Sequence, residues 1–147
     1  MKIYIDDSAL NRLLDDRRTP EVKYDRELMV MLVEIIEKGG LELVGSEVLD
    51  KQIKETEDVF KETVLEVIYS MSTEEVKVDK GILERAEEIR RKLNGIQYID
   101  SLHIACAEAG EVDAMVTADT RLALLSKGIK LKTRLLILPQ MFTEVLK

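Results

Sequence analysis

The sequence predicts an α/β fold with a mostly parallel sheet, and three observations predict it. Short apolar, β-branched runs alternate with longer stretches of helical periodicity, the pattern of strands joined by helical crossovers. A length of 147 residues suits one layered domain over residues 1–147 and is too short for two independent cores. Hydrophobic residues at 46% beside charged residues at 35% describe a solvated, folded chain and exclude intrinsic disorder.

The first strand is Lys2-Ile3-Tyr4-Ile5, β-branched and aromatic, stopped by Asp6-Asp7-Ser8. Those residues are natural caps for a short helix carrying Leu10, Leu13 and Leu14. After a charged stretch from Asp15 to Lys23, Leu28, Met31, Leu32, Ile35 and Ile36 recur at helical spacing until Gly39-Gly40 ends the run. Leu41 to Val44 reads as the second strand and Gly45-Ser46-Glu47 as the turn into the next helix. Helical spacing continues through Val59, Val64, Val67 and Ile68, with a break near Thr56 to Asp58. Glu75 to Val78 is a short extended piece, and a helix follows from Lys80 to Leu93, stopped by Asn94-Gly95. The next helix, about Ile99 to Ala109, is rich in small residues, as a tightly packed helix is. Ala114-Met115-Val116 is a strand running into Thr117-Ala118-Asp119, then a short helix to Lys127-Gly128. Leu135 to Leu138 is the last strand, and Pro139 suits the first turn of a final helix.

Composition removes several functions. One Cys (Cys106) and one His (His103) cannot build a disulfide framework, a zinc ribbon or an HExxH protease. No apolar run approaches the roughly 20 residues of a membrane helix, and Asp6-Asp7 comes too early for a signal peptide. The expectation is a cytoplasmic protein with no membrane partner. A net charge of −7 argues against non-specific coating of nucleic acid, though not against a local basic patch.

Ligands in an open α/β sheet bind at the carboxyl ends of the strands. Asp6 follows the first strand, Glu47 the second, and Asp119 the strand ending at Val116, while Asp100 opens the small-residue helix before it. Taken singly, each acid reads as a helix cap. Together at one sheet edge they repel one another unless a cation lies among them, and all-oxygen ligands suit Mg²⁺ or Mn²⁺. Spacing leaves both readings open.

Four segments carry a family resemblance. They are Ile3-Tyr4-Ile5-Asp6-Asp7-Ser8-Ala9-Leu10-Asn11-Arg12, Leu43 to Leu49 around Glu47, Asp100 to Ala107, and Asp113 to Asp119 ending in Thr117-Ala118-Asp119. In this order and spacing they resemble the motifs of PIN-domain proteins, above all the small stand-alone prokaryotic members of the VapC toxin type. The resemblance spans essentially the whole chain. It implies a three-layer α/β/α sandwich and a Mg²⁺- or Mn²⁺-dependent endoribonuclease that hydrolyses RNA phosphodiester bonds. Asp6, Glu47, Asp100 and Asp119 would be the catalytic, metal-binding acids, with Ser8, Asn11 and Thr117 as polar neighbours orienting ligands or water. It also implies a toxin of a type II toxin–antitoxin pair, with a small antitoxin as partner and a homodimer as a frequent assembly. Two positions depart from the pattern: Arg121 stands where many members carry a further acid, and Asp7 where a neutral residue is more usual.

His103, three residues after Asp100, could pair with an acid as a base, but a packed structural histidine is the favoured reading. A Cys106–His103 dyad would lie on a helix that looks buried, where a thiol behaves as a small hydrophobe. Arg90-Arg91-Lys92 reads as a solvated face. Arg12, Arg17, Arg18, Lys23 and Arg26 read equally as an RNA groove or a solvated loop. At 4% aromatic residues, base-stacking platforms are not indicated. Ile5-Asp6-Asp7-Ser8 also resembles a response-regulator receiver domain, but the phosphoacceptor Asp and the Lys before the last loop are missing. A catalytically inactive PIN-like module that binds RNA or protein is the remaining alternative.

Overall fold

Strand β1 (Lys2–Ile5) lies at the centre of a five-stranded parallel sheet in the computed structural model, which describes residues 1–146. Around it the chain runs α1 (Asp7–Asn11), α2 (Pro20–Glu37), β2 (Glu42–Ser46), α3 (Glu47–Lys54) and α4 (Val59–Tyr69). It continues through β3 (Glu74–Val76), α5 (Lys80–Lys92), α6 (Tyr98–Ala109), β4 (Ala114–Thr117), α7 (Thr120–Leu125), β5 (Arg134–Ile137) and α8 (Leu138–Gln140). The spatial order is β3-β2-β1-β4-β5, every pair parallel. That order differs from the 2-1-3-4-5 arrangement of receiver-type sheets, so topology removes that reading.

The pleat of β1 sends side chains to two separate cores. Ile3 and Ile5 join Leu10, Met29, Leu32, Leu49 and Leu65 on the layer of α1 to α4, whereas Tyr4 joins Ile82, Ile89, Ile104 and Met115 on the layer of α5 and α6. β4 repeats the pattern, with Val116 in the first core and Met115 in the second. The result is the three-layer sandwich. Each fully buried Ile or Leu contributes roughly 1.5–3 kcal/mol, so strands buried on both faces read as continuous apolar runs.

Boundaries moved where partners beyond the local sequence decide them. β2 continues through Gly45 and Ser46 because β3 pairs with it there, Val44 to Glu74, Gly45 to Glu75 and Ser46 to Val76. Gly45 is required: a Cβ would stand 2.6 Å from the Tyr69 ring, whose hydroxyl donates to the Ser46 carbonyl at 3.0 Å. The charged stretch up to Lys23 is helical from Pro20, because Thr19 caps it by accepting from the Val22 N–H at 3.3 Å. β5 gives up Leu138, which enters α8 and is fully buried. Among the described residues no helix is long and apolar enough to cross a membrane.

The sheet order sets the site. From β1 the chain steps outward to β2 and β3, then returns across to β4 and β5, so the switch in direction falls between β1 and β4. At such a point the turns diverge and leave a crevice beyond the strand ends.

Candidate functional site

Asp6 leaves β1 and caps α1, and it is 1% exposed. Its Oδ1 accepts from the Ser8 hydroxyl at 2.7 Å and the Ala9 N–H at 3.0 Å. An ionised carboxylate can only accept, so the Ser8 proton is committed to it. Ser8 Oγ in turn accepts from the Ala118 N–H at 3.0 Å, and lies 3.0 Å from Thr117 Oγ1, which must then be the donor. Thr117 Oγ1 also accepts from the Asp119 N–H at 3.1 Å. The chain of bonds ties the end of β1 to the end of β4 with every proton assigned. Burial pushes the Asp6 carboxyl above its ordinary pKa, against the pull of Thr117, the Ala9 N–H and Ser8.

Asp119 caps α7, its Oδ1 accepting from the Leu122 N–H at 3.0 Å. Asp100 stands in the first turn of α6, half-buried. Burial, followed by the negative charge of Asp6 and then of Asp7 and Asp119, pushes its pKa up to about 6, with His103 opposing. Asp6, Asp100 and Asp119 therefore share one field at the switch between β1 and β4.

Glu47 stands apart. It is exposed at the start of α3, and its Oε1 accepts from the Val78 N–H at 2.7 Å, on the β3 side of the sheet. Among the described residues no three His, Cys, Asp or Glu side chains lie close enough to hold a metal ion as they stand. The donor set is nonetheless all carboxylate and hydroxyl oxygen, and the repulsion that adds to burial in lifting Asp100 is what a hard divalent cation relieves. By that chemistry Asp6, Asp100 and Asp119 fit Mg²⁺ or Mn²⁺.

Asn11 is turned aside, donating to the Asp7 carbonyl at 2.8 Å. It borders a cleft of about 450 Å³ together with Ser8, Arg12, Asp15 and Asp119. Asp7 meets the α6 side of the site, its Oδ1 3.5 Å from His103 Nε2, and its charge adds to that acting on Asp100. Burial works to raise the Asp7 carboxyl, but the contact with His103 outweighs it and holds the group below the usual carboxylate range.

His103 is fully buried and is held at both ring nitrogens. Nδ1 is 2.6 Å from the Tyr4 hydroxyl and Nε2 is 2.7 Å from Gln52 Oε1. A ring protonated on Nε2 satisfies the closest partners: Nε2 donates to Gln52, Tyr4 donates to Nδ1, and Ser46 donates to Tyr4 at 2.7 Å while accepting from the Leu49 N–H at 3.1 Å. His103 thus bridges β1, α3 and α6. Cys106 is buried on the same helix, and burial pushes its thiol up to about 11. No reactive dyad is built there.

The basic residues after β1 are largely spent within the fold. Arg12 Nε donates to Asp25 at 3.0 Å and its Nη1 to Asp15 at 3.4 Å, with the side chain only 13% exposed. Arg17 is held by Asp15 at 2.6 Å, and Arg26 donates to the Asp15 carbonyl at 2.8 Å. Arg18 and Lys23 border a separate cleft with Asp16, Asp58 and Phe60. An RNA groove built from all five is not what forms.

On the other flank of α6, Arg121 is exposed and donates to the Gly95 carbonyl at 3.2 Å. Arg90 places its guanidinium 5.9 Å from the ring centroid of Tyr98, the first residue of α6. Tyr98 carries no motif, and only its place at the start of the Asp100 helix could have drawn notice.

Known proteins agree with this fold. No curated protein matches the chain. FitAcB from Neisseria gonorrhoeae superposes with a TM-score of 0.55 at 16% identity, covering 90% of this chain and 95% of that one. VapBC2 from Rickettsia felis, solved bound to a DNA fragment from their promoter, superposes with a TM-score of 0.57 at 12% identity, covering 93% and 98%. At such identities the likeness is one of fold. A family model for the PIN domain matches residues 3–128, most of a chain whose sheet is parallel in the order 3-2-1-4-5, and the chain belongs to the PIN-domain family.

Proposed function

We propose that residues 1–147 act as one Mg²⁺- or Mn²⁺-dependent endoribonuclease unit that hydrolyses RNA phosphodiester bonds. The observation that carries the reading is the crowding of acids at one sheet edge: burial, and then the charges of Asp6, Asp7 and Asp119, lift Asp100 to about 6 against the opposing pull of His103. Asp6, Asp100 and Asp119 would hold the ion, with Glu47 completing the set once it leaves Val78. Such an ion supplies positive charge that favours ionisation of water for in-line attack and offsets charge developing on the phosphate.

The chain's own residues prepare this chemistry. Ser8 and the Ala9 N–H bind the same oxygen of Asp6, and the Leu122 N–H binds one oxygen of Asp119, so the second oxygen of each would be the one to meet the ion. Thr117 and Ser8 keep the two acids at a fixed spacing. In-line attack by water leaves a 5′-phosphate and a 3′-hydroxyl.

The resemblance to small stand-alone PIN proteins, and the fold shared with FitAcB and VapBC2, support a cytoplasmic toxin that pairs with a small antitoxin and forms a homodimer. An inactive RNA- or protein-binding module is the second reading. Arg121 favours it, since that position carries a cation bonded to Gly95 in place of an acid. Cleavage of a mixed single-stranded RNA pool with Mn²⁺ or Mg²⁺, beside EDTA and Asp100→Asn controls, separates the two. Metal-dependent cutting lost in both controls supports the nuclease, and no cutting by folded, metal-loaded protein overturns it.

A further inference from the structure

α6 is buried along most of its length: Ser101, His103, Ile104, Ala105, Cys106, Ala107 and Glu108 are all enclosed. Tyr98 at its start is a large side chain left 41% exposed. Its backbone is fixed, because Ser101 Oγ donates to the Tyr98 carbonyl at 2.6 Å. Arg90 covers part of the ring, and its ion pair among the described residues, to Glu87 at 3.6 Å, is an exposed one of little strength. Arg91 beside it makes no ion pair among the described residues. Gln97, exposed, caps α6 without lending its side chain to the cap. Arg121 approaches the same turn through Gly95.

We propose that Tyr98, backed by Arg90, is a stacking platform for an unpaired base of single-stranded RNA at the carboxylate edge. This rests on the nuclease reading for its substrate. A tyrosine on a rigid backbone loses little entropy on stacking, and a guanidinium over one face adds cation–π attraction. Tyr98 and Asp100 lie about 3 Å apart along the helix axis and about 200° apart around it. A strand crossing the tip of α6 would therefore put a base on the α5 side and a phosphate on the sheet side. A base still paired in a duplex has no face to offer, which makes single strands the substrate class.

The test is binding of a fluorescent single-stranded oligoribonucleotide in EDTA, so that cutting plays no part. The proteins are wild type, Tyr98→Leu and Tyr98→Phe, each checked for folding by its thermal transition. Tyr98→Leu should weaken binding by on the order of tenfold while Tyr98→Phe stays within about twofold. A duplex of the same sequence should bind more weakly and ignore the substitution, and the matching single-stranded DNA should show the same dependence on residue 98. Tyr98→Leu binding as well as wild type, a duplex losing affinity equally, or wild type binding no single strand would overturn the platform. Cutting that survives without any Tyr98 dependence leaves the nuclease reading standing alone. Tyr98-dependent binding without metal-dependent cutting leaves the platform standing alone.

Discussion

Two charged clusters meet at one cleft, where Asp119 of the first stands opposite Arg12 and Asp15 of the second, and they are opposites. On one side Arg12 lies among Asp15, Glu21 and Asp25, each charge answered within the chain. On the other, Asp6, Asp100 and Asp119 repel one another, and among the described residues none of them pairs with a Lys or Arg. Ser8, Arg12, Asp15 and Asp119 line the space between. Pairing offsets the cost of burying charge, and a cluster left unpaired costs stability, which is retained where a ligand answers it. Charge content does not separate the two clusters. Whether an opposite charge has been folded into reach does.

Asp100→Asn should break the unpaired side with the largest effect. Cutting should fall at least about a hundredfold, the scale of losing one group that stabilises transition-state charge. Stability should move the other way. The unfolded chain releases the Asp100 proton near 3.8, whereas the folded site holds it to about 6. Between those values the folded state binds more protons, so stability falls as pH rises, and the penalty is complete above about pH 6. In EDTA at pH 7, Asp100→Asn should therefore be more stable by roughly 1 kcal/mol, discounted because the group is half-exposed. At pH 4 the gain should vanish. A urea titration at both pH values reads this directly, and equal gains at both would remove the shared field. With Mn²⁺ present, wild type should gain stability with metal concentration and Asp100→Asn should gain less.

Asp25→Ala breaks the paired side. Asp25 is 5% exposed, and its loss strands a guanidinium that is 13% exposed, with only the longer contacts to Asp15 and Glu21 remaining. The expected loss is about 2–3 kcal/mol in urea, below the cost of a fully buried orphan because those contacts survive. Neither EDTA nor Mn²⁺ should change that loss. A metal-dependent loss would mean the two clusters act as one.

The contrast also explains what could be read in advance. Asp6 and Asp119 announce their places because each follows a strand and caps the next helix, a signal contained in three or four neighbouring residues. The same local logic located β1, β4 and the stop at Gly39-Gly40, where Gly39 takes φ +81°. Direction of a long side chain is another matter. Glu47 is where the pattern puts it, but the N–H that draws its carboxylate belongs to Val78, 31 positions away. Arg12 looked available for RNA because its partner Asp25 lies 13 positions on, across a loop and a turn of α2. Tyr98 was hidden by a composition argument: few aromatic residues say nothing about where one of them stands.

Ser8→Ala tests the seam between the clusters. The hydroxyl donates to Asp6 and accepts from the Ala118 N–H and Thr117, so removing it leaves three groups short of one partner. About 1–2 kcal/mol of stability should be lost, since one site accounts for all three bonds and water can reach part of the gap. Cutting should fall about tenfold, as Asp6 keeps the Ala9 N–H but loses its fixed spacing from Asp119. Loss of stability with unchanged cutting per folded molecule would make Ser8 a purely structural link.

Arg17→Ala should do least, and its smallness is informative. Arg17 meets Asp15 at 2.6 Å, the shortest contact in the paired cluster, and the pair holds Asp15 below the usual carboxylate range. Distance alone would rank it first. Its side chain is 67% exposed, however, so water and salt answer both charges once the contact is gone, and Asp15 keeps Arg12. The melting temperature at pH 7 should not shift measurably, and oligoribonucleotide binding should stay at the wild-type value because the guanidinium is already committed to Asp15. A clear drop in binding would show that Arg17 leaves Asp15 for phosphate. In that case the paired cluster would be a store of cations that the substrate can draw on, and the separation between the two sides of the cleft would hold only in the absence of RNA.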